Sequence, residues 1–259
     1  MKIPIYQVDA FTSEVFRGNP AAVCPLEQWL DDARLQAIAA ENNLSETAYF
    51  VPKEDGYHLR WFTPECEVDL CGHATLASAF VLFHYLKPGI KRVKFQSQGG
   101  QLQVTREGEL LCLDFPARAP VACSVSESLL KALGKSPMEV LCSRDYLVRY
   151  RSEDEILSLQ PDMALLKTLD RLGVIVTAAG KRSDFVSRFF APGAGIPEDP
   201  VTGSAHCTLT PYWARVLGNA KLHALQVSSR GGELFCELRG DRVLIAGRAV
   251  RYLEGTIFV

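Results

Sequence analysis

The chain repeats itself, and that repetition limits the folds open to it. RWFTP at Arg60–Pro64 recurs as RFFAP at Arg188–Pro192. CGHATLASAF from Cys71 recurs as TGSAHCTLTPYW from Thr202, and FQSQGGQLQV around Gly99 recurs as VSSRGGELFC around Gly231. The displacements are 128, 131 and 132 positions, close to half of 259 residues, and the order is kept. Three ordered matches at one period mean a duplicated unit, so the fold must be two copies of one arrangement.

The unit mixes strands with helices. IPIYQVDAF, TAYFVP and HLRWFTP alternate or run apolar between turn signals and read as strands. EQWLDDARLQAIAAENN has a helical period and stops at Asn42-Asn43. Gly72–Leu86 is apolar on almost every side, as is Gly203–Leu217, which predicts a buried helix in each half. After each helix comes a strand, a Gly-Gly turn and two further strands. The expected class is therefore α+β: two pseudo-symmetric halves, each a curled, mostly antiparallel sheet around a central buried helix. PARAP at Pro116–Pro120 breaks the pattern, so the halves are expected at 1–117 and 118–259.

Charge and length exclude some classes. The chain has 28 basic and 30 acidic residues, net −2, and no basic run that would track a phosphate backbone, so no nucleic-acid partner is expected. No apolar stretch reaches the roughly 18–20 residues that span a bilayer, and the first residues lack a signal-peptide core; a cytoplasmic location is expected, without membrane association. The eight cysteines include no CxxC pair and mostly sit in apolar runs, which fits reduced buried thiols. Cys66, Cys71 and His73 are the nearest approach to a zinc cluster, but they lack a second pair, so no metal is expected.

The two helix starts are where chemistry is expected. Glycine there lets a ligand approach the backbone, and the free N–H groups of a first turn favour a carboxylate or phosphate. A pseudo-twofold arrangement would bring both starts to one cleft. Gly72, with His73 and Thr75, lies at the first, and Gly203, with Glu198, Asp199, Thr202 and Ser204, at the second. The duplication also shows where symmetry breaks: Glu46 opens an apolar segment whose counterpart opens with Val174. A carboxyl group entering a buried strand is costly without a partner or a task, burial raises its pKa, and such a group suits acid/base work.

At these residues the chain resembles the PhzF family, the phenazine-biosynthesis-like proteins of the diaminopimelate-epimerase fold. The resemblance rests on VDAFT at Val8–Thr12, GNPAAVC at Gly18–Cys24, NLSETAYF at Asn43–Phe50, LCGHATLASA at Leu70–Ala79 and EDPVTGSAHC at Glu198–Cys207. It implies a homodimer and a cofactor-independent isomerase that shifts a proton between carbons of a small anionic acid, of the trans-2,3-dihydro-3-hydroxyanthranilate type. By the same resemblance Glu46 is the acid/base, with His73 and Asp199 beside it as catalytic residues. Asn19, Ser45, Gly72, Gly203 and Ser204 would contact the substrate.

Two other readings stand beside this one. Related epimerases use two cysteines on opposite faces of the substrate; Cys71 fills the first place, but Thr202 stands at the second, and a threonine hydroxyl replaces a thiol poorly near neutral pH. A non-catalytic ligand-binding protein on the same fold is the other. Cys207, inside the second helix, reads as core. His58, His84, His206 and His223 read as structural or surface residues.

Overall fold

A computed structural model describes residues 1–259. The chain forms two compact units: Met1–Asp114 with Ala246–Val259, and Phe115–Ile245.

In the first unit the chain runs through β1 (Lys2–Ala10), β2 (Asn19–Pro25), α1 (Asp32–Asn42), β3 (Glu46–Lys53), β4 (Gly56–Phe62) and β5 (Glu67–Val68). Then come α2 (Gly72–Val81), β6 (Arg92–Ser97), β7 (Gly100–Glu107) and β8 (Leu110–Pro116), whose last two residues lie in the second unit. That unit holds β9 (Val121–Ala122), α3 (Glu127–Leu133), β10 (Glu139–Cys142), β11 (Tyr146–Arg149), α4 (Glu153–Leu157) and α5 (Met163–Leu166). It continues with β12 (Val174–Ala179), β13 (Phe185–Ala191), β14 (Ile196–Asp199), α6 (Gly203–Leu217), β15 (Lys221–Gln226), β16 (Gly232–Arg239) and β17 (Arg242–Gly247), whose last two residues belong to the first unit. The final strand, β18 (Ala249–Phe258), pairs antiparallel along β1, from Ala10↔Ala249 to Lys2↔Phe258. A linear cut at 117 misses this return, because strand pairing between distant segments leaves no local signal.

The repeat is visible element by element. β1 pairs antiparallel with β2, β2 parallel with β3, and β3 antiparallel with β4. In the second unit β10 pairs antiparallel with β11, β11 parallel with β12, and β12 antiparallel with β13. Each of β4 and β13 then pairs parallel with the strand after the long helix, β6 or β15, which turns back as an antiparallel hairpin. The recurring arginine makes the same contacts twice. Arg60 forms a two-pronged bond with Glu67 at 2.7 Å and lies 5.0 Å from the Phe62 ring centre. Arg188 forms one with Glu198 at 2.7 and 2.9 Å and lies 4.9 Å from Phe190. A planar guanidinium matches a carboxylate and stacks on a ring at once, which lysine does not.

The long helices behave as their all-apolar pattern predicts. Every residue of α2 from His73 to Val81 is buried, and the helix packs on β1, β2, β3 and β18. Its expected continuation to Leu86 changes winding: Leu82–Leu86 is a π-helical turn. α6 runs through Pro211, which has no N–H to give the Cys207 carbonyl four residues back. The Arg118 N–H takes that acceptor instead, at 2.9 Å. Core side chains on α1, β2 and β3 (Leu35, Ile38, Cys24, Tyr49) lock the first helix to the sheet. Asp31 caps α1 by accepting from the Arg34 N–H, and Asn43 ends it in the left-handed region.

The loop from β1 into β2 delivers Asn19. Gly18 there has φ +64°, and a Cβ on it would lie 2.2 Å from the Ala10 carbonyl oxygen. Gly18→Ala should therefore cost about 1–3 kcal/mol in urea unfolding. An unchanged midpoint would show that this loop does not hold its conformation.

No helix is long and apolar enough to cross a membrane. None of the eight cysteines forms a disulfide; Cys66 is exposed, Cys123 half-buried and the others buried.

Candidate active site

Three chain ends meet in the first unit. β2 and β3 run parallel with Ala21 opposite Glu46, so Asn19 and Glu46, the first residues of their strands, lie at the same end of the sheet. α2, which packs on both strands, begins there with Gly72 and His73. Glu46 is 8% exposed, His73 5% and Asn19 0%. Glu46 Oε2 lies 3.0 Å from His73 Nε2. The two atoms are close but not aligned as a hydrogen bond, and neither has a hydrogen-bond partner. On the far side of the ring, Asn19 Nδ2 lies 3.2 Å from His73 Nδ1, and Ser45 Oγ donates to Asn19 Oδ1 at 3.3 Å. Cys71 Sγ is 3.5 Å from the same Nδ1. Glu46, His73, Asn19, Ser45 and Gly72 thus come together, and Cys71 joins them.

The electrostatics follow from burial. Burial alone would lower the His73 pKa, but the opposing charges of Cys71 and Glu46 outweigh it and hold the imidazole well above its ordinary value. Burial, with the Glu46 charge adding to it, pushes the Cys71 thiol up to about 11. The thiol is then protonated near neutral pH. Glu46, Cys71 and His73 offer one potential ligand atom each within 4.8 Å. The thiol is protonated, and the imidazole nitrogens already face Asn19 and Glu46. Cys66, named in the sequence reading, is outside this trio.

In the second unit the matching elements make a different site. Val174 opens β12 as Glu46 opens β3, and it is buried among apolar neighbours. Asp199 Oδ2 accepts from Thr202 Oγ1 at 2.5 Å. Gln226 binds this turn from β15, its Nε2 donating to the Asp199 carbonyl and its Oε1 accepting from the Thr202 N–H, both at 2.8 Å. Ser204 Oγ lies 3.1 Å from Arg144 Nη2, and Arg144 is clamped by buried Asp145 at 2.8 Å. Gly203 starts α6, and neither it nor Gly72 needs a left-handed φ, so turn geometry does not demand glycine at either position. Glu198 is taken by Arg188.

Sequence reasoning missed Gln226, Arg144 and Asp145. Asp145 is a buried charged residue directly before the apolar run YLV of β11, and the burial argument applied to Glu46 would have flagged it too. The other histidines have structural partners: His58 accepts from Trp29 Nε1, His84 meets the Phe80 carbonyl, His206 the Thr202 carbonyl and His223 the Glu233 carboxylate.

Known proteins share this fold. A family model described as phenazine biosynthesis-like protein matches residues 8–255. An uncharacterized isomerase of Pseudomonas aeruginosa is 55% identical over 257 residues, covering 99% of each chain. The human phenazine biosynthesis-like domain-containing protein is 43% identical over 286 aligned positions, again covering 99% of each. A crystal structure of a PhzF-family protein from Enterococcus faecalis superposes with a TM-score of 0.98 at 49% identity, covering 100% of both chains. A hydroxyproline epimerase of Agrobacterium vitis shares only the fold, with a TM-score of 0.63 at 10% identity over 99% of this chain and 92% of its own. By its matched motifs and its fold, the chain belongs to the PhzF family of phenazine biosynthesis-like proteins.

Proposed function

We propose that this protein is a cofactor-independent isomerase that moves a proton between two carbons of a small unsaturated carboxylic acid, as in the isomerisation of trans-2,3-dihydro-3-hydroxyanthranilate. The observation that carries the reading is the buried Glu46–His73 pair, 3.0 Å apart with both facing atoms free of hydrogen bonds. Buried polar atoms in a folded protein are rarely left so, and a substrate that needs a base and an acid gives the pair a use. Glu46, as carboxylate, takes an acidified C–H proton next to the conjugated system. The same group, now protonated, returns it to another carbon on that face. His73 compensates the changing charge on Glu46.

The proposal extends to Asn19, Ser45 and Gly72 beside the pair. Asp199 of the second unit is assigned as a further catalytic residue, and Gly203 and Ser204 as substrate contacts with N–H and hydroxyl donors for a carboxylate or a developing enolate. That relatives bear the name isomerase supports the reaction class. A homodimer and a cytoplasmic location belong to the same proposal. The test is incubation with dihydro-hydroxyanthranilate and related diene acids in D₂O, followed by NMR. Deuterated, double-bond-shifted product supports the reading, and no conversion across the panel refutes it.

The cysteine-based epimerase reading makes a different prediction. A thiol held near 11 is less than about 0.1% thiolate at neutral pH. Cys71→Ser should retain activity within about tenfold and incorporate deuterium as the parent does. Abolished exchange in Cys71→Ser, with Glu46→Gln unaffected, would transfer the catalytic role to the thiol.

A further inference from the structure

His73 sits between a group that changes charge and a group that can reverse its polarity. On one side Glu46 Oε2 is 3.0 Å from Nε2. On the other, Asn19 turns its amide nitrogen to Nδ1 at 3.2 Å, and its amide oxygen accepts from Ser45 Oγ at 3.3 Å. An amide nitrogen only donates, so this orientation fits a neutral ring with its proton on Nε2, the nitrogen on the Glu46 side. An imidazolium needs the reverse, because its Nδ1–H must find an acceptor. A half-turn of the Asn19 amide supplies one in Oδ1. Ser45 can follow, since a hydroxyl accepts from Nδ2 as readily as it donates to Oδ1. The contacts with His73 and Ser45 are kept in either state.

We propose that Asn19 is a positioning residue whose amide turns with the charge state of His73, and that Ser45 supplies the complementary hydroxyl. The pair would let one buried ring serve both as imidazolium, when Glu46 is ionised, and as neutral imidazole, when Glu46 holds the substrate's proton. The groups acting on the ring are Glu46 from β3, Cys71 at the start of α2, and Asn19 with Ser45. The thiol can donate to Nδ1 but is a weak acceptor, so it cannot replace the Asn19 oxygen for the charged form. This inference rests on the isomerase reading for its purpose but not for its test.

The test uses the full-length protein labelled with ¹⁵N-histidine and needs no substrate. NMR reads the midpoint and tautomer of His73 across pH. In the parent the neutral form should carry its proton on Nε2. Asn19→Leu removes the acceptor for Nδ1–H; the proton affinity of His73 should fall at least tenfold, and the neutral ring should become a tautomer mixture. Asn19→Asp offers only acceptors on that side and should raise the affinity at least tenfold, which also covers the case in which the leucine variant does not fold. Ser45→Ala should broaden the Asn19 side-chain amide signals without selecting either ring state. A midpoint and tautomer unmoved in Asn19→Leu, or a lowered affinity in Asn19→Asp, would overturn the proposal. If His73 responds as expected while no acid is turned over, the reading of function fails and this one stands.

Discussion

Glu46→Gln should stop proton migration, lowering turnover of a diene acid by about 10²–10⁴-fold, the usual contribution of a positioned acid/base. Glutamine keeps the shape and the strand register at Ala21 but neither takes nor gives the proton. The substitution also removes the charge that holds up His73. With that raising effect gone, the ring should titrate at lower pH than in the parent. A dead enzyme whose His73 titration is unchanged would mean that the pair is not coupled. An active one would mean that the carboxyl group is not the acid/base. Stability should change little, because one buried polar group replaces another of the same size.

A second large effect is expected on stability, at His206. This ring is fully buried in α6, its Nδ1 meets the Thr202 carbonyl at 2.8 Å, and Nε2 has no partner. Burial pushes its pKa from 6.5 down to about 4, against the raising effect of the Thr202 bond. The sign follows from linkage. Above about pH 6.5 the ring is neutral whether folded or unfolded, and nothing is lost. As pH falls from 6.5 toward 4, the unfolded chain takes up a proton that the folded one refuses, so stability drops. The full difference is worth about 3 kcal/mol, a sizeable share of a total of roughly 5–15. Urea midpoints should fall steeply between pH 6.5 and 4 in the parent, and the fall should be shallower by that amount in His206→Gln. Parallel curves for the two proteins would show that another group drives the acid transition.

Much of this molecule could be read from its residues, for identifiable physical reasons. The recurring arginine-aromatic motif predicted a repeat because the same side chain does the same work twice: Arg60 on Glu67 and Phe62, Arg188 on Glu198 and Phe190. The apolar runs from Gly72 and Gly203 predicted buried helices because a helix without a polar face has nowhere else to go. Glu46 stood out because Val174 fills its place in the other copy. Other features lack a local signal. α4 and α5 span five and four residues, too short for a hydrophobic period to show. The return of β18 to β1 joins the two ends of the chain. Asn19 and Ser45 were named as substrate contacts, but their place behind the His73 ring depends on three strand and helix ends meeting, which no spacing expresses.

The most direct test of the central claim, that one carboxyl group carries the proton from carbon to carbon, is a single turnover in H₂O. The substrate is trans-2,3-dihydro-3-hydroxyanthranilate deuterated at the carbon that loses its hydrogen, and the product is read by mass spectrometry and NMR. The account predicts product that retains part of that deuterium at the newly saturated carbon, and no product with Glu46→Gln. Product wholly free of deuterium, formed as fast by Glu46→Gln as by the parent, would contradict it.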